Sequence, residues 1–219
     1  TAPMNSQPGH GGWVETAVRR FRARRMQRFV TQMGVTAETR VLDVGGTPLN
    51  WSLSPVQPRV TLLNLPRAAE PAPAGFSLVF GDGCRLPFSD QSFDIVFSNS
   101  VIEHIPGETA RQEFAREVRR VGKAYWVQTP CRSFPVEPHL WTPLVHWLPA
   151  RWQEAVVRRG TIWEWLERPS EDRRAYYVDH YLRDIRLLGV HEMAALFPEA
   201  RILRERFLGW TKSLVAVFP

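Results

Sequence analysis

Cysteine is nearly missing from this 219-residue chain, which has only two, Cys84 and Cys131. That excludes a small disulfide-stapled scaffold; with no apolar leader at the start, the chain reads as soluble and cytoplasmic, with both thiols reduced. No uninterrupted apolar run reaches the roughly 18 residues that a membrane-spanning helix needs. Lysine is equally scarce, because 26 of the 28 basic residues are arginine. The net charge of +6 could suit nucleic acid or an anionic surface, but the arginines are scattered, which speaks against a nucleic-acid partner. A glycine-lysine phosphate loop and a Gly-x-Ser-x-Gly elbow are both absent, and neither cysteine sits in a nucleophile motif. Nucleoside-triphosphatase and hydrolase chemistries therefore drop away.

What is present suits one domain with a substantial core, since 44% of the residues are hydrophobic. Strand-like and helix-like segments alternate, the pattern of an α/β fold with helices on the faces of a mainly parallel sheet. A leading helix is expected over 13–33, with Phe21, Met26, Phe29 and Val30 on its apolar side beside Val14 and Val18. Strands are expected near 41–44, 60–65, 76–80 and 93–98, the third after a loose loop over 66–73. The stretch 108–121 spaces Phe114, Val118 and Val121 three and four apart among charges, as a surface helix does. It feeds a strand over 124–129 that Pro130 should end. Further helices are expected over 170–187 and from 190, and two closing strands around Gly209 and Trp210 form an antiparallel hairpin. Between them, residues 131–169 hold Pro135, Pro138, Pro143 and Pro149 together with Trp141, Trp147, Trp152, Trp163 and Trp165. Aromatic crowding of this kind is first of all core packing; its second reading is a cap or insertion facing a substrate.

The most informative run is Val41-Leu42-Asp43-Val44-Gly45-Gly46, followed by Gly81-Asp82-Gly83 and then by Leu86 through Ser98. An apolar strand ending in a carboxylate and two glycines lets bare backbone approach a ligand, and the later run supplies a second carboxylate at another strand end. Residues 38–130 carry a resemblance on these motifs. They look like the class I S-adenosylmethionine-dependent methyltransferases of the type 11 group. The resemblance implies a three-layer Rossmann-like sandwich with a mostly parallel seven-stranded sheet and an antiparallel last strand. It also implies S-adenosyl-L-methionine as cofactor, with Asp43 near the amino-acid end of that donor and Asp82 with Gly83 near its adenine end. Where the family usually carries an acid to grip the ribose diol, this chain has Asn64, which can both donate and accept. The family's alternate-glycine loop is here Gly45-Gly46-Thr47-Pro48-Leu49, and its following helix is squeezed into 50–57 between prolines.

Asn99 follows the fourth strand, where an open α/β sheet binds its ligands, and is a further cofactor-side candidate. In similar methyltransferases the position of His104 lies beside the donor and can face the acceptor. His139, in Glu137-Pro138-His139, sits on a constrained loop past the fifth strand, and a carboxylate beside an imidazole suits proton removal from a hydroxyl. Glu103 reads as a cap or an arginine partner. The spacing of Glu103, His104, Glu137 and His139 fits no compact ligand pattern, so no metal is expected. The chain thus reads as a methyltransferase of a small-molecule acceptor, with a hydroxyl oxygen ahead of nitrogen or carbon. Two alternatives stand beside it. One is a non-catalytic binding protein that keeps the fold with its altered glycine loop; the other is an RNA-directed enzyme using the arginines of 19–28.

Overall fold

The computed structural model describes residues 12–66 and 74–219; the loose loop beyond Pro66 lies outside the described residues, as do the side chains of Val14 and Val18. Seven strands, β1 (Arg40–Val44), β2 (Arg59–Asn64), β3 (Ser77–Phe80), β4 (Phe93–Asn99), β5 (Gly122–Pro130), β6 (Arg201–Phe207) and β7 (Trp210–Phe218), form one sheet in the order β3-β2-β1-β4-β5-β7-β6. Pairings among β1 to β5 are parallel, and β7 runs antiparallel between β5 and β6. The mostly parallel seven-stranded sheet with one reversed strand is as expected. Chain order turns from one direction to the other between β1 and β4, so the loops after both strands open at the sheet's switch point.

Alternation within each strand sorts side chains onto two faces. Val41, Val60, Leu62, Ile95, Phe97, Trp126, Val215 and Val217 pack with Met26, Phe29 and Val30 of helix α1 (Gly12–Met33) and with Trp51 of helix α2 (Pro48–Trp51). The other face sets Leu42, Val44, Val96, Tyr125 and Val127 against Phe114, Val118 and Val121 of α3 (Glu108–Val121). Helix α7 (Val190–Leu196) adds Met193 to that side. The sheet is therefore the middle of three layers.

The remaining helices, α4 (Ala150–Arg159), α5 (Ile162–Glu167) and α6 (Glu171–Asp184), stand between β5 and α7. Leu140, Val145, Val157, Val178 and Tyr181 give this region a small core of its own. Thr161 caps α5 by accepting from Glu164 N at 3.3 Å, and Ser170 caps α6 by accepting from Arg173 N at 3.4 Å.

Several expectations change. The helix after the glycine loop is one turn starting at Pro48 rather than a segment over 50–57, because proline is tolerated at a first helical position and Pro55 blocks extension. Pro130 lies within β5, opposite Ser213, at a strand end where a missing N–H costs little. Of the five tryptophans in 131–169 only Trp163 is buried, while Trp141, Trp147, Trp152 and Trp165 are 42% to 75% exposed. Their crowding is not core packing. Trp163 instead stacks on Tyr177, centroids 4.2 Å apart. Among the described residues no helix is long and apolar enough to cross a membrane.

Candidate functional site

Strands β1 to β5 end at the same edge of the sheet, and the candidate residues collect there. Strand alternation puts Asp43 on the α1–α2 face, fully buried, where Trp51 Nε1 donates to its Oδ2 at 2.7 Å. The other oxygen, Oδ1, is buried without a hydrogen-bond partner. Burial pushes the carboxyl up to about 7, against the pull of the Trp51 bond. Trp51 is fixed by an aromatic cluster with Phe29 and Phe97, at centroid distances of 6.1 and 5.4 Å.

The glycine loop bends over this carboxylate. Gly45 has φ +74°, and a Cβ there would meet Val101 Cγ2 at 2.5 Å; one at Gly46 would land on the Asp43 carboxylate. Gly45 N donates to Leu63 O at 2.8 Å, and Asn64 Nδ2 to Gly46 O at 3.1 Å, tying the loop to the end of β2. At the end of β3, Asp82 Oδ1 accepts from Cys84 N at 2.9 Å, an Asx turn. Gly83 is needed for packing, because a Cβ would meet Phe114 and Val44 at 3.1 Å.

Asn99, ending β4, accepts from Arg25 Nη1 at 2.8 Å. The sequence offered Arg25 only as one of the 19–28 arginines of an RNA surface, not as a partner of this site. Its guanidinium also forks onto Glu205 of β6 at 2.7 and 3.1 Å, nearly buried, so it braces the fold instead of offering a free charge to RNA. Ser100 follows in the left-handed region at φ +57°, held by its N–H on Gln128 O and its hydroxyl on Gln128 Oε1, each at 3.0 Å.

Beyond β4 a 3₁₀ turn, Ile102–His104, carries two more candidates. Glu103 is wholly buried, and among the described residues no arginine forms an ion pair with it, where a cap or an arginine partner was expected. Thr129 Oγ1 of β5 donates to its Oε2 at 3.0 Å, while Oε1 is buried with no partner. Burial raises this carboxyl to about 7 although the His139 charge pulls it down. On the loop after β5, Glu137 is wholly buried and accepts from the N–H groups of His139 and Leu140 at 2.8 and 2.6 Å. Its Oε1 lies 2.7 Å from His139 Nδ1. Burial works against a proton on His139, but the Glu137 bond outweighs it and the imidazole lies above its ordinary value. Tyr177 OH of α6 donates to His139 O at 3.1 Å.

Spacing gave no reason for Glu103, His104 and His139 to meet, and the fold brings them together nonetheless. Because β4 and β5 are parallel neighbours, the loops that follow them share one edge, and the three residues each present a ligand atom within 4.8 Å of the others. The His104 ring stands edge-on to His139 with centroids 5.0 Å apart and stacks on His180 of α6 at 5.7 Å. Burial, then the nearby imidazoles, push His104 down to about 3, which keeps it neutral. His180 is a residue the sequence reading missed; its Nδ1 lies 2.9 Å from Asp184 Oδ2, an i,i+4 pair that was there to be found in the expected helix. A cleft of about 780 Å³ lies at the opposite edge, where Arg40, Arg59, Ser77 and Phe93 begin their strands. None of the candidate residues lines it.

A protein-family model described as a methyltransferase domain matches residues 53–124. A protein of Encephalitozoon cuniculi named as a methyltransferase is 47% identical over 62 residues, and the match covers 28% of each chain. Among solved structures, a Burkholderia thailandensis 1,6-didemethyltoxoflavin-N1-methyltransferase, bound to its substrate and S-adenosylhomocysteine, covers 99% of this chain and 92% of its own. Its TM-score is 0.54 at 13% identity. A protein of Pyrococcus horikoshii has TM-score 0.54 at 15% identity, covering 97% of this chain and 91% of that one. The likeness to these two is one of fold.

Proposed function

We propose that this chain, a member of the class I S-adenosylmethionine-dependent methyltransferases by its fold and its matched domain, transfers a methyl group to a hydroxyl oxygen of a small molecule. The observation that carries the reading is the convergence of Asp43, Gly45, Gly46, Asn64, Asp82 and Asn99 on one sheet edge, around the β1–β4 switch point.

These residues suit the donor. Gly45 and Gly46 bring bare backbone to the strand end, where any Cβ would strike Val101 or the Asp43 carboxylate, and Asp43 Oδ1 is an unpaired buried acceptor beside them. Asn64 spends its Nδ2 on Gly46 O, so what it offers a ribose diol is its oxygen, as the family's acid would. Asp82 is oriented by its turn at the adenine side, and Asn99 is oriented by Arg25. When bound, the donor supplies an electrophilic methyl group on a positive sulfur. The protein's main contribution is to hold an acceptor oxygen in line with that carbon. His104 and His139 stand on the acceptor side, where a neutral imidazole can orient a hydroxyl and the Glu137-braced one can take its proton. Residues 131–169, with their exposed tryptophans, serve as the acceptor-facing cap on the single domain. The location of the working protein is proposed as cytoplasmic.

The test is calorimetry of the purified protein with S-adenosylmethionine and S-adenosylhomocysteine, followed by labelled methyl transfer to hydroxylated small molecules. Asn64→Leu should weaken donor binding at least ~10-fold, about the worth of one hydrogen bond. A folded protein that binds neither compound ends this reading in favour of a non-catalytic one.

A further inference from the structure

We infer that Glu103, His104 and His139 form a binding site for a divalent first-row transition cation. Two nitrogens and one carboxylate oxygen come from loops on neighbouring parallel strands, and their ligand atoms all lie within 4.8 Å of one another. Metal–ligand bonds of about 2.1 Å put ligand atoms up to about 4 Å apart, so small side-chain rotations close the cluster on an ion.

Three further features mark a built site. Glu103 is wholly buried, yet Oε1 has no hydrogen-bond partner while Oε2 is held by Thr129. An uncompensated carboxylate oxygen in such surroundings is costly, and a cation satisfies it. His139 is braced through Nδ1 by Glu137, which leaves Nε2 for an ion; a carboxylate behind a ligating imidazole is the usual second layer of such centres. Thirdly, both imidazoles are partly exposed, so an ion has a way in.

Two imidazoles and one carboxylate favour Zn²⁺, Fe²⁺ or Mn²⁺ over Ca²⁺ or Mg²⁺, and three protein ligands leave a position open for water or an acceptor oxygen. At that position the ion would acidify a bound hydroxyl, with the two imidazoles acting as ligands in place of proton acceptors. The use of the ion in catalysis rests on the methyltransferase reading; its binding does not.

The protein, stripped with a chelator, is titrated with Zn²⁺ by calorimetry and with Co²⁺ by visible absorption, and donor binding is measured on the same samples. The expected result is one equivalent of Zn²⁺ and cobalt bands of nitrogen–oxygen ligation. Glu137→Gln should weaken uptake about 10- to 100-fold, and Glu103→Gln and His139→Gln should weaken it further. The cobalt bands are read on the unsubstituted chain, so a variant that fails to fold does not blunt the test. The site is refuted if the unsubstituted chain takes up no more Zn²⁺ than the His104→Gln/His139→Gln double variant and gives no cobalt bands. Donor binding without ion uptake sinks the metal site alone, whereas ion uptake without donor binding supports the site and sinks the methyltransferase reading.

Discussion

The indole of Trp51 donates to Oδ2 of Asp43 at 2.7 Å, joining the one-turn helix after the glycine loop to the strand before it. This bond is buried, and among the described residues Trp51 is the one side-chain partner of a carboxylate whose other oxygen has none. Trp51→Phe keeps most of the aromatic packing and removes the donor. Urea unfolding should show a loss of about 1–3 kcal/mol, the cost of a stranded buried polar group. An unchanged midpoint would show that the bond contributes nothing.

The same carboxyl sets a pH dependence. Its folded value is raised to about 7 from an ordinary 3.8, so between those values the native state holds a proton that the unfolded chain has lost. Stability should therefore fall as pH rises from about 4 to about 7 and be level above, with a slope of up to about 1.4 kcal/mol per unit. Glu103, also raised to about 7, adds a second contribution of the same sign, so Asp43→Asn should remove one of the two and make that stretch of the curve shallower, measured by unfolding at several pH values.

Gly46→Ala puts a methyl group on the Asp43 carboxylate. The loop must shift, and donor binding by calorimetry should drop at least ~10-fold, since displaced backbone loses a hydrogen bond or more to the ligand. Gly209→Ala is the comparison: a side chain is strained at its φ of +83°, but no atom stands within 4 Å. It should lower stability by about 1 kcal/mol and leave donor affinity alone.

Breaking the brace between α1 and β6 is expected to act on both fold and site. Arg25→Ala leaves Glu205, 8% exposed, without its cation, a loss of about 3 kcal/mol. It also frees Asn99 to turn, so donor affinity should fall as well. Thermal unfolding and calorimetry on one preparation separate the two effects.

Tryptophans of the 131–169 region should divide sharply. Trp163→Ala opens a cavity beside Tyr177 and should cost about 3–5 kcal/mol, whereas Trp165→Ser, at a site 75% exposed, should stay within about 0.5 kcal/mol. If this region caps the acceptor, Trp165→Ser raises KM for the acceptor without changing donor affinity; an unchanged KM removes Trp165 from the acceptor surface.

The sheet was legible because its strands carry their own signal. Apolar runs such as Val41-Leu42 and Ile95-Val96-Phe97 are covered on both faces, as strands of a parallel sheet are, and Gly209 marks the closing hairpin. The tryptophans misled because four prolines between 131 and 150 erase any period that would tell an inward face from an outward one. The bracing role of Arg25 was hidden because its partner Glu205 is 180 residues away. Glu103 looked like a cap or an arginine partner, but a strand pairing that a single chain does not spell out sets it against Thr129 and leaves one of its oxygens buried and unpaired.

The small core of Leu140, Val145, Val157, Val178 and Tyr181 shares no residue with the two cores that flank the sheet. Regions packed separately open separately, at lower free energy than the whole. His139 rides on that minor unit through Tyr177, while Glu103 is anchored to the sheet by Thr129, with His104 next to it on the same turn. Local opening of the minor unit thus parts the imidazoles and leaves the glycine loop standing. Amide hydrogen exchange would register this as two protection levels in one chain, the lower belonging to the half that carries His139.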